Sequence, residues 1–175
     1  MRAQDAIAEA ILSTKPNLSR YLAGFDDSTR AAQAPNLPNH AAWNLGHLSL
    51  TMHRAAQKLN DSHALPPGDF VEGAGAAGDS RRFAAEAVAF GSTPSGSGEK
   101  YPPLARCVEI YGGACDALAH VVRGLTDADL HTEVAWGSAS LPKHLLAMRM
   151  VFHNGMHTGQ IADLRRAFKF RSVFS

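Results

Sequence analysis

The sequence predicts an all-α protein, an up-and-down antiparallel four-helix bundle with a long loop between helices two and three. Four long stretches repeat apolar residues at intervals of three and four, the spacing of one helical face. Proline, glycine and serine separate these stretches, and no strand pattern of comparable strength is present. Long helices with one apolar face each bury those faces most simply against one another.

The first helix is expected from about residue 2 to residue 25, where Pro16 should kink or interrupt it. Pro35 and Pro38 then mark a loop. The second helix follows at about 39–59.

The third helix should start at the Pro102-Pro103 pair, because proline suits a first helical turn, and it carries a heptad pattern to Leu125. Residues 126–140 are expected to be a connection before the fourth helix, at about 141–170. The long loop, residues 60–100, has helical character only at 81–90. Such a loop is a cap over a functional site or a surface excursion, and the sequence favours neither.

Composition limits the class of protein. A chain of 175 residues with 45% hydrophobic and 19% charged residues is expected to form one domain, residues 1–175. The formal net charge of +1 offers no strong field for nucleic acid. We therefore expect no nucleic-acid partner, and the basic cluster near the C-terminus is interpreted as the solvated end of a helix: Arg165, Arg166, Lys169 and Arg171.

No apolar run reaches membrane-spanning length, and the N-terminus lacks the apolar core of a signal peptide, so we expect no membrane partner. Cys107 and Cys115 stand eight residues apart in one predicted helix, roughly 12 Å along its axis. That separation is too long for a disulfide. Reduced thiols are typical of a cytoplasmic protein.

Two histidines of the fourth helix have the spacing of metal ligands. His153 and His157 are four residues apart, so their Cβ atoms lie roughly 5–6 Å from each other on one helical face. Gln160 follows on that face, which is otherwise apolar. A pair of hydrogen-bonded core histidines is the alternative, and the ligand spacing weakens it.

The second helix supplies the third candidate ligand. His40, Asn44, His47 and Thr51 form a polar stripe between two apolar flanks, so the stripe is expected to be buried. Buried polar groups are costly unless they are hydrogen-bonded or bind a metal. His47 is the best-centred ligand, and His40 is expected near the mouth of the site.

Other residues are assigned by the same projection. Candidates for orienting a ligand or a substrate are Asn44, Thr51, Tyr111 and Gln160, and each could equally be an ordinary core residue. Arg149, one turn before His153, is either an anion-binding group or a surface arginine. The remaining histidines are expected on the solvated surface: His53, His63, His120, His131 and His144.

Two motifs resemble those of the DinB-like (DinB/YfiT) superfamily of metalloenzymes. They are Asn39-His-x-x-Trp-x-x-Gly-His47-Leu in the second helix and His153-x-x-x-His157-x-Gly-Gln160-Ile in the fourth. Phe90-Gly-Ser-x-Pro and Tyr101-Pro extend the similarity along nearly the whole chain.

This resemblance implies a four-helix bundle, commonly a homodimer, with a divalent metal on one histidine of helix two and two of helix four. Those positions match His47, His153 and His157. Relatives with known activity include S-transferases and isomerases that use a low-molecular-weight thiol, bacillithiol or mycothiol. Apolar Val151 and Phe152 on the outer side of helix four also favour a homodimer.

Chemistry from the residues agrees with this resemblance. Three neutral ligands leave a zinc or nickel ion an open position, which is typical of a catalytic site. No carboxylate is centred on the inner faces of helices two and four, so a metal-bound thiolate, which needs no general base, is favoured over hydrolysis. We expect a metal-dependent thiol S-transferase acting on a small-molecule substrate. The alternatives are a metal-dependent hydrolase and a non-catalytic metal-binding or sensing domain.

Overall fold

A computed structural model describes residues 1–73 and 81–174 of the chain. This part of the protein is mostly helical, which confirms the predicted class. Its α-helices are α1 (Ala3–Tyr21), α2 (Ala41–Leu59), α3 (Leu104–Arg123), α4 (Asp127–Leu130) and α5 (Lys143–Ala167).

The four long helices lie at the predicted positions. Helix α3 packs against α1 and α2, and α5 packs against the same two helices, so their apolar faces share one core. The up-and-down antiparallel order of these helices stays a prediction, as does a single domain over 1–175. Helix α1 passes through Pro16 without interruption and ends at Tyr21, short of the expected Phe25.

The connection after α3 is structured, contrary to expectation. It contains the short helix α4 and an antiparallel hairpin of β3 (Glu133–Trp136) and β4 (Ala139–Pro142). A capping box, in which Thr126 and Asp129 satisfy each other's backbone amides, starts α4. Gly137 has a φ of 61° in the two-residue turn, where a glycine costs least. The hairpin places Trp136 beside α5.

The long loop also has structure of its own. A parallel pair joins β1 (Phe70–Val71) to β2 (Phe83–Ala84), and 3-10 turns follow at Ala85–Ala87 and Gly98–Lys100. The predicted helical character at 81–90 amounts to the first of these turns. We call residues 60–73 and 81–100 the covering segment, because its buried apolar side chains pack on α2: Phe70, Phe83 and Val88.

The covering segment buries a face of α2 that was expected to be solvated. Gly46, Ser49 and His53 share the side of α2 opposite the polar stripe, and all three are buried. His53 is only 1% exposed, so its predicted surface position was wrong. Periodicity reveals which residues share a face, but it cannot reveal that a distant segment covers that face. Nearly the whole circumference of α2 therefore contacts protein.

Helix α5 is buried on two sides for a related reason. Asn154 and Thr158 project from the side of α5 away from the trio, and Arg165 was expected to be solvated, yet all three are buried. Asn154 Nδ2 donates to Thr14 Oγ1 of α1 at 3.0 Å, and Arg165 donates to backbone carbonyls at the end of α1. Because α5 packs against both α1 and α2, its polar side toward α1 is also interior.

Two further observations concern compartment and cysteines. None of the helices in the described ranges is long and apolar enough to cross a bilayer. Cys107 and Cys115 are both buried free thiols, as expected from their spacing.

Candidate metal centre

Three histidines from two helices converge at one point. His47 of α2 and the pair His153 and His157 of α5 each offer a ring nitrogen, and these nitrogens all lie within 4.8 Å of one another. The Nε2 atoms of His153 and His157 are 3.1 Å apart. Two nitrogens bound to one tetrahedral zinc at about 2.0–2.1 Å lie roughly 3.3–3.4 Å apart, so the observed separation is close to that of ligands. We call these three residues the histidine trio.

Hydrogen bonds fix the tautomer of His157. Its Nδ1 lies 2.5 Å from Asn44 Oδ1. Asn44 Nδ2 donates to the carbonyls of Asn39 and His40, so the side-chain oxygen of Asn44 must face the histidine. His157 Nδ1 therefore carries the proton, and its Nε2 presents a lone pair to the other two histidines. A metal ligand needs this arrangement.

His47 is oriented in the same manner by the covering segment. Its Nδ1 lies 2.9 Å from the carbonyl oxygen of Val88, which can only accept, so Nδ1 donates and Nε2 is free to coordinate. The indole of Trp43 stacks on the imidazole of His47, with ring centroids 4.7 Å apart and planes 6° apart. One hydrogen bond and one ring contact thus hold His47 facing His153 and His157.

Burial keeps the trio neutral. Loss of hydration lowers the pKa of His153 to about 4 and that of His157 to about 3, and it also lowers the pKa of His47. Unprotonated imidazole is the form that coordinates a metal. His153 Nδ1 is buried and has no hydrogen-bond partner within the described chain. The donor set, the tautomers of His47 and His157, and the protonation state all fit a divalent metal ion.

A cleft of about 870 Å³ opens beside the trio. Its described wall contains three cations and no carboxylate: Arg54, Lys58 and Arg149. Apolar side chains supply most of the remaining surface, namely Phe90, Trp136, Met150, Phe152 and Met156. His47, His153 and Thr51 also line this cleft, so a ligand in it could reach a metal on the trio.

The structure brings most of the predicted orienting residues to the site. Asn44 contacts His157, and Gln160 Oε1 lies 3.1 Å from the same Nδ1 while accepting from Asn39 Nδ2. Thr51 and Arg149 line the cleft. Asn44 and Gln160 can therefore orient the ring of His157, and Thr51 and Arg149 can contact a molecule in the cleft.

Two candidates have structural roles instead. His40 was expected at the mouth of the site, but it is fully buried and caps α2, where its Nδ1 accepts from the backbone N–H of Trp43 at 3.2 Å. Tyr111 is buried, and its hydroxyl hydrogen-bonds to Thr14 at 3.0 Å rather than to the trio. Helical projection placed both on interior faces correctly, but it could not give their distance from the trio.

One of the five histidines assigned to the surface is buried. His53 Nδ1 lies 3.0 Å from Nε2 of His63 in the covering segment, and the two rings stack. His63 is half-buried. His120 and His131 are exposed, as expected. His144 is half-buried and donates through Nδ1 to the carbonyl of Leu130.

Sequence reasoning missed four parts of the site. Arg54 lies seven residues after His47 on α2, a spacing that returns to the same face and could have revealed it. Trp136 precedes a glycine turn after an alternating stretch, which is a hairpin signal. Phe90 gave no comparable signal, and the Val88 acceptor is a backbone carbonyl, which every residue has.

Comparisons with known proteins agree with this fold. A family model described as the DinB superfamily matches residues 11–161. The crystal structure of a conserved protein from Enterococcus faecalis is similar in fold, with a TM-score of 0.68 and 11% identity over 95% of this chain and 97% of that one. No curated protein matches the sequence. Since the family model spans well over half of the chain, this protein belongs to the DinB superfamily.

Proposed function

We propose that this protein is a metal-dependent enzyme that transfers a low-molecular-weight thiol to an electrophilic small molecule. The thiolate sulfur forms a bond to the electrophilic carbon, the bond from that carbon to its leaving group breaks, and the thiol proton is released to solvent. The observation that carries the proposal is the opening of the histidine trio onto a cleft whose described wall contains no carboxylate. His47, His153 and His157 would hold the ion. When bound, a zinc or nickel ion would supply positive charge that stabilises a thiolate at neutral pH.

The chain's own groups would prepare the site for that chemistry. Asn44 and the Val88 carbonyl accept from the Nδ1 atoms of His157 and His47, which holds both rings and makes them better donors. Trp43 covers one face of His47 and limits water there. The apolar cleft wall would exclude water from the reacting sulfur and so protect its nucleophilicity.

A metal-dependent hydrolase is the second candidate. Metal-bound water attacks most efficiently beside a general base, and the described cleft wall offers no Asp or Glu for that role. A thiolate has already lost its proton and needs no base. The donor chemistry therefore favours thiol transfer over hydrolysis.

A non-catalytic metal-binding or sensing domain is the third candidate. Structural zinc sites are closed by four protein ligands, whereas the trio supplies three and faces a cleft of about 870 Å³. That volume is within the range of small-molecule sites, about 300–1,000 Å³. The cleft therefore favours an enzyme with a small-molecule substrate.

The test starts with elemental analysis of the purified protein, then assays turnover of monobromobimane with bacillithiol, mycothiol or glutathione after zinc or nickel loading. We expect turnover that needs both metal and thiol. His153→Ala should remove bound metal and activity together. His144→Ala, on the same helix but hydrogen-bonded to Leu130, is the matched control and should retain both. Metal-dependent hydrolysis of p-nitrophenyl acetate without thiol would instead support the hydrolase.

We also propose a cytoplasmic homodimer. Val151 was expected on the outer side of helix four but is half-buried and packs against the core, so it does not support the contact. Phe152 is 69% exposed and forms an apolar stripe with its neighbours along α5: Leu145, Met148 and Met156. Exposed stripes of this kind mark interfaces. The buried free thiols of Cys107 and Cys115 suit a reducing compartment.

A further inference from the structure

We propose that the cleft beside the histidine trio selects a substrate with a carboxylate-type anionic group joined to a flat apolar part. Arg149 would bind the anion, and Trp136 would contact the apolar part. This inference rests on the proposed function, because the bound molecule is a substrate only if the protein is an enzyme. The binding preference itself can be measured without turnover.

The charges of the cleft are strongly one-sided. The whole chain has 17 basic and 16 acidic residues, so an unbiased patch would contain both signs. The described cleft wall nevertheless has Arg54, Lys58 and Arg149 and no acid. Such a field attracts an anion and repels a cation. Charge complementarity therefore favours an anionic small molecule.

Arg149 is available to a ligand. Some cations elsewhere on the surface are paired with carboxylates, such as Lys15 with Asp116 at 2.8 Å and Arg106 with Asp69 at 2.5 Å. Within the described residues no ion pair involves Arg149. A guanidinium can bind a carboxylate through two parallel hydrogen bonds, which gives it both strength and orientation.

Arg149 lies at a suitable distance from the metal ligands. It precedes His153 by four residues on α5, so the two side chains leave the same helical face about 6 Å apart along the axis. A ligand whose anion binds Arg149 would therefore extend toward the trio over a few bonds. Arg54 follows His47 by seven residues on α2 and adds positive charge farther along, near Glu86.

Besides apolar side chains of α5, the cleft wall contains two aromatic residues from parts of the chain outside the long helices. Trp136 ends β3 just before the turn at Gly137, and it is half-buried with one side toward the cleft. Phe90 of the covering segment is 92% exposed and lines the same cleft. Large aromatic side chains exposed beside a polar site offer flat surfaces for an apolar ligand group.

The experiment compares two probes that share one ring system, 2-naphthoate and the neutral 2-naphthamide, by equilibrium dialysis with zinc-loaded and EDTA-treated protein. We expect both forms of the protein to bind 2-naphthoate about tenfold more tightly than 2-naphthamide. Arg149→Gln should abolish that preference. Arg123→Gln, at the exposed end of α3, should keep it. Trp136→Ala should weaken both probes by the same factor.

Equal affinity for the two probes in the unmodified protein would overturn the proposal. It would also be overturned if the preference disappeared with EDTA and persisted in Arg149→Gln, because the carboxylate would then bind the metal. Failure of thiol transfer with an intact Arg149-dependent preference would refute the proposed reaction alone. Thiol transfer without that preference would refute the anion site alone.

Discussion

Gly46→Ala tests whether the covering segment holds the metal site in place. Gly46 precedes His47 on α2 and lies directly beneath that segment. A Cβ atom added there would lie 2.8 Å from two ring carbons of Phe83 and 2.8 Å from Val88 Cγ1. Carbon atoms in contact normally lie about 3.5–4.0 Å apart. The covering segment would have to move outward to accommodate one methyl group.

The expected cost follows from two opposing effects. Overpacking of a buried site costs about 1–3 kcal/mol, whereas replacing a helical glycine by alanine gains up to about 1 kcal/mol. We therefore expect a net loss of about 1–2 kcal/mol in the free energy of unfolding. The Val88 carbonyl accepts from His47 Nδ1, so its displacement should also weaken zinc binding by about tenfold or more.

Urea unfolding of metal-free protein and competitive zinc titration measure the two effects separately. Gly113→Ala is the matched control, because Gly113 lies in α3 and an added Cβ would meet no atom within 4 Å. That variant should be as stable as the unmodified protein or slightly more so, with the same zinc affinity. If Gly46→Ala behaved like Gly113→Ala in both measurements, the reasoning about the covering segment would be refuted.

Two further predictions concern pH and assembly. Burial lowers the pKa of His40 and His53 from 6.5 to about 4. As pH falls from 6.5 toward 4, both histidines become protonated in the unfolded chain before they do so in the folded protein, so metal-free protein should lose stability. The urea midpoint should follow that fall, more weakly in His53→Gln, and a constant midpoint between pH 7 and 4.5 would contradict it. Light scattering at micromolar concentration should give a dimer mass, and Phe152→Glu should give a monomer; a monomer for the unmodified protein would contradict the apolar contact.

The sequence predicted the histidine trio because helical periodicity is a local property. Once α2 and α5 were placed, the four-residue spacing of His153 and His157 and the central position of His47 determined which rings face inward. The same projection identified Asn44 and Gln160 as neighbours of the ligands, and both contact His157. These residues, whose helical faces meet inside the core, could therefore be assigned before any tertiary contact was known.

Features that depend on distant segments were not accessible in this way. His53 has an outward position on an isolated helix, and only the packing of Phe70 and His63 over it makes it buried. His40 was assigned to the site because it lies on the same face of α2 as His47, but its side chain caps α2. The hairpin was missed because each of its strands has only four residues, so the alternation is short and the glycine turn is its main signal.

The proposed chemistry has two parts, metal binding and substrate binding, and different segments of the chain contribute to them. The histidine trio belongs to α2 and α5, where packing in the shared core fixes its position. The cleft wall is completed by the β3–β4 hairpin at Trp136 and by the covering segment at Phe90, both outside the four long helices. Substitutions of Trp136 and Phe90 can change which apolar group fits while leaving the trio in place. The fit of the apolar part of a substrate should therefore depend on these two residues, whereas metal affinity should depend on α2, α5 and the Val88 carbonyl.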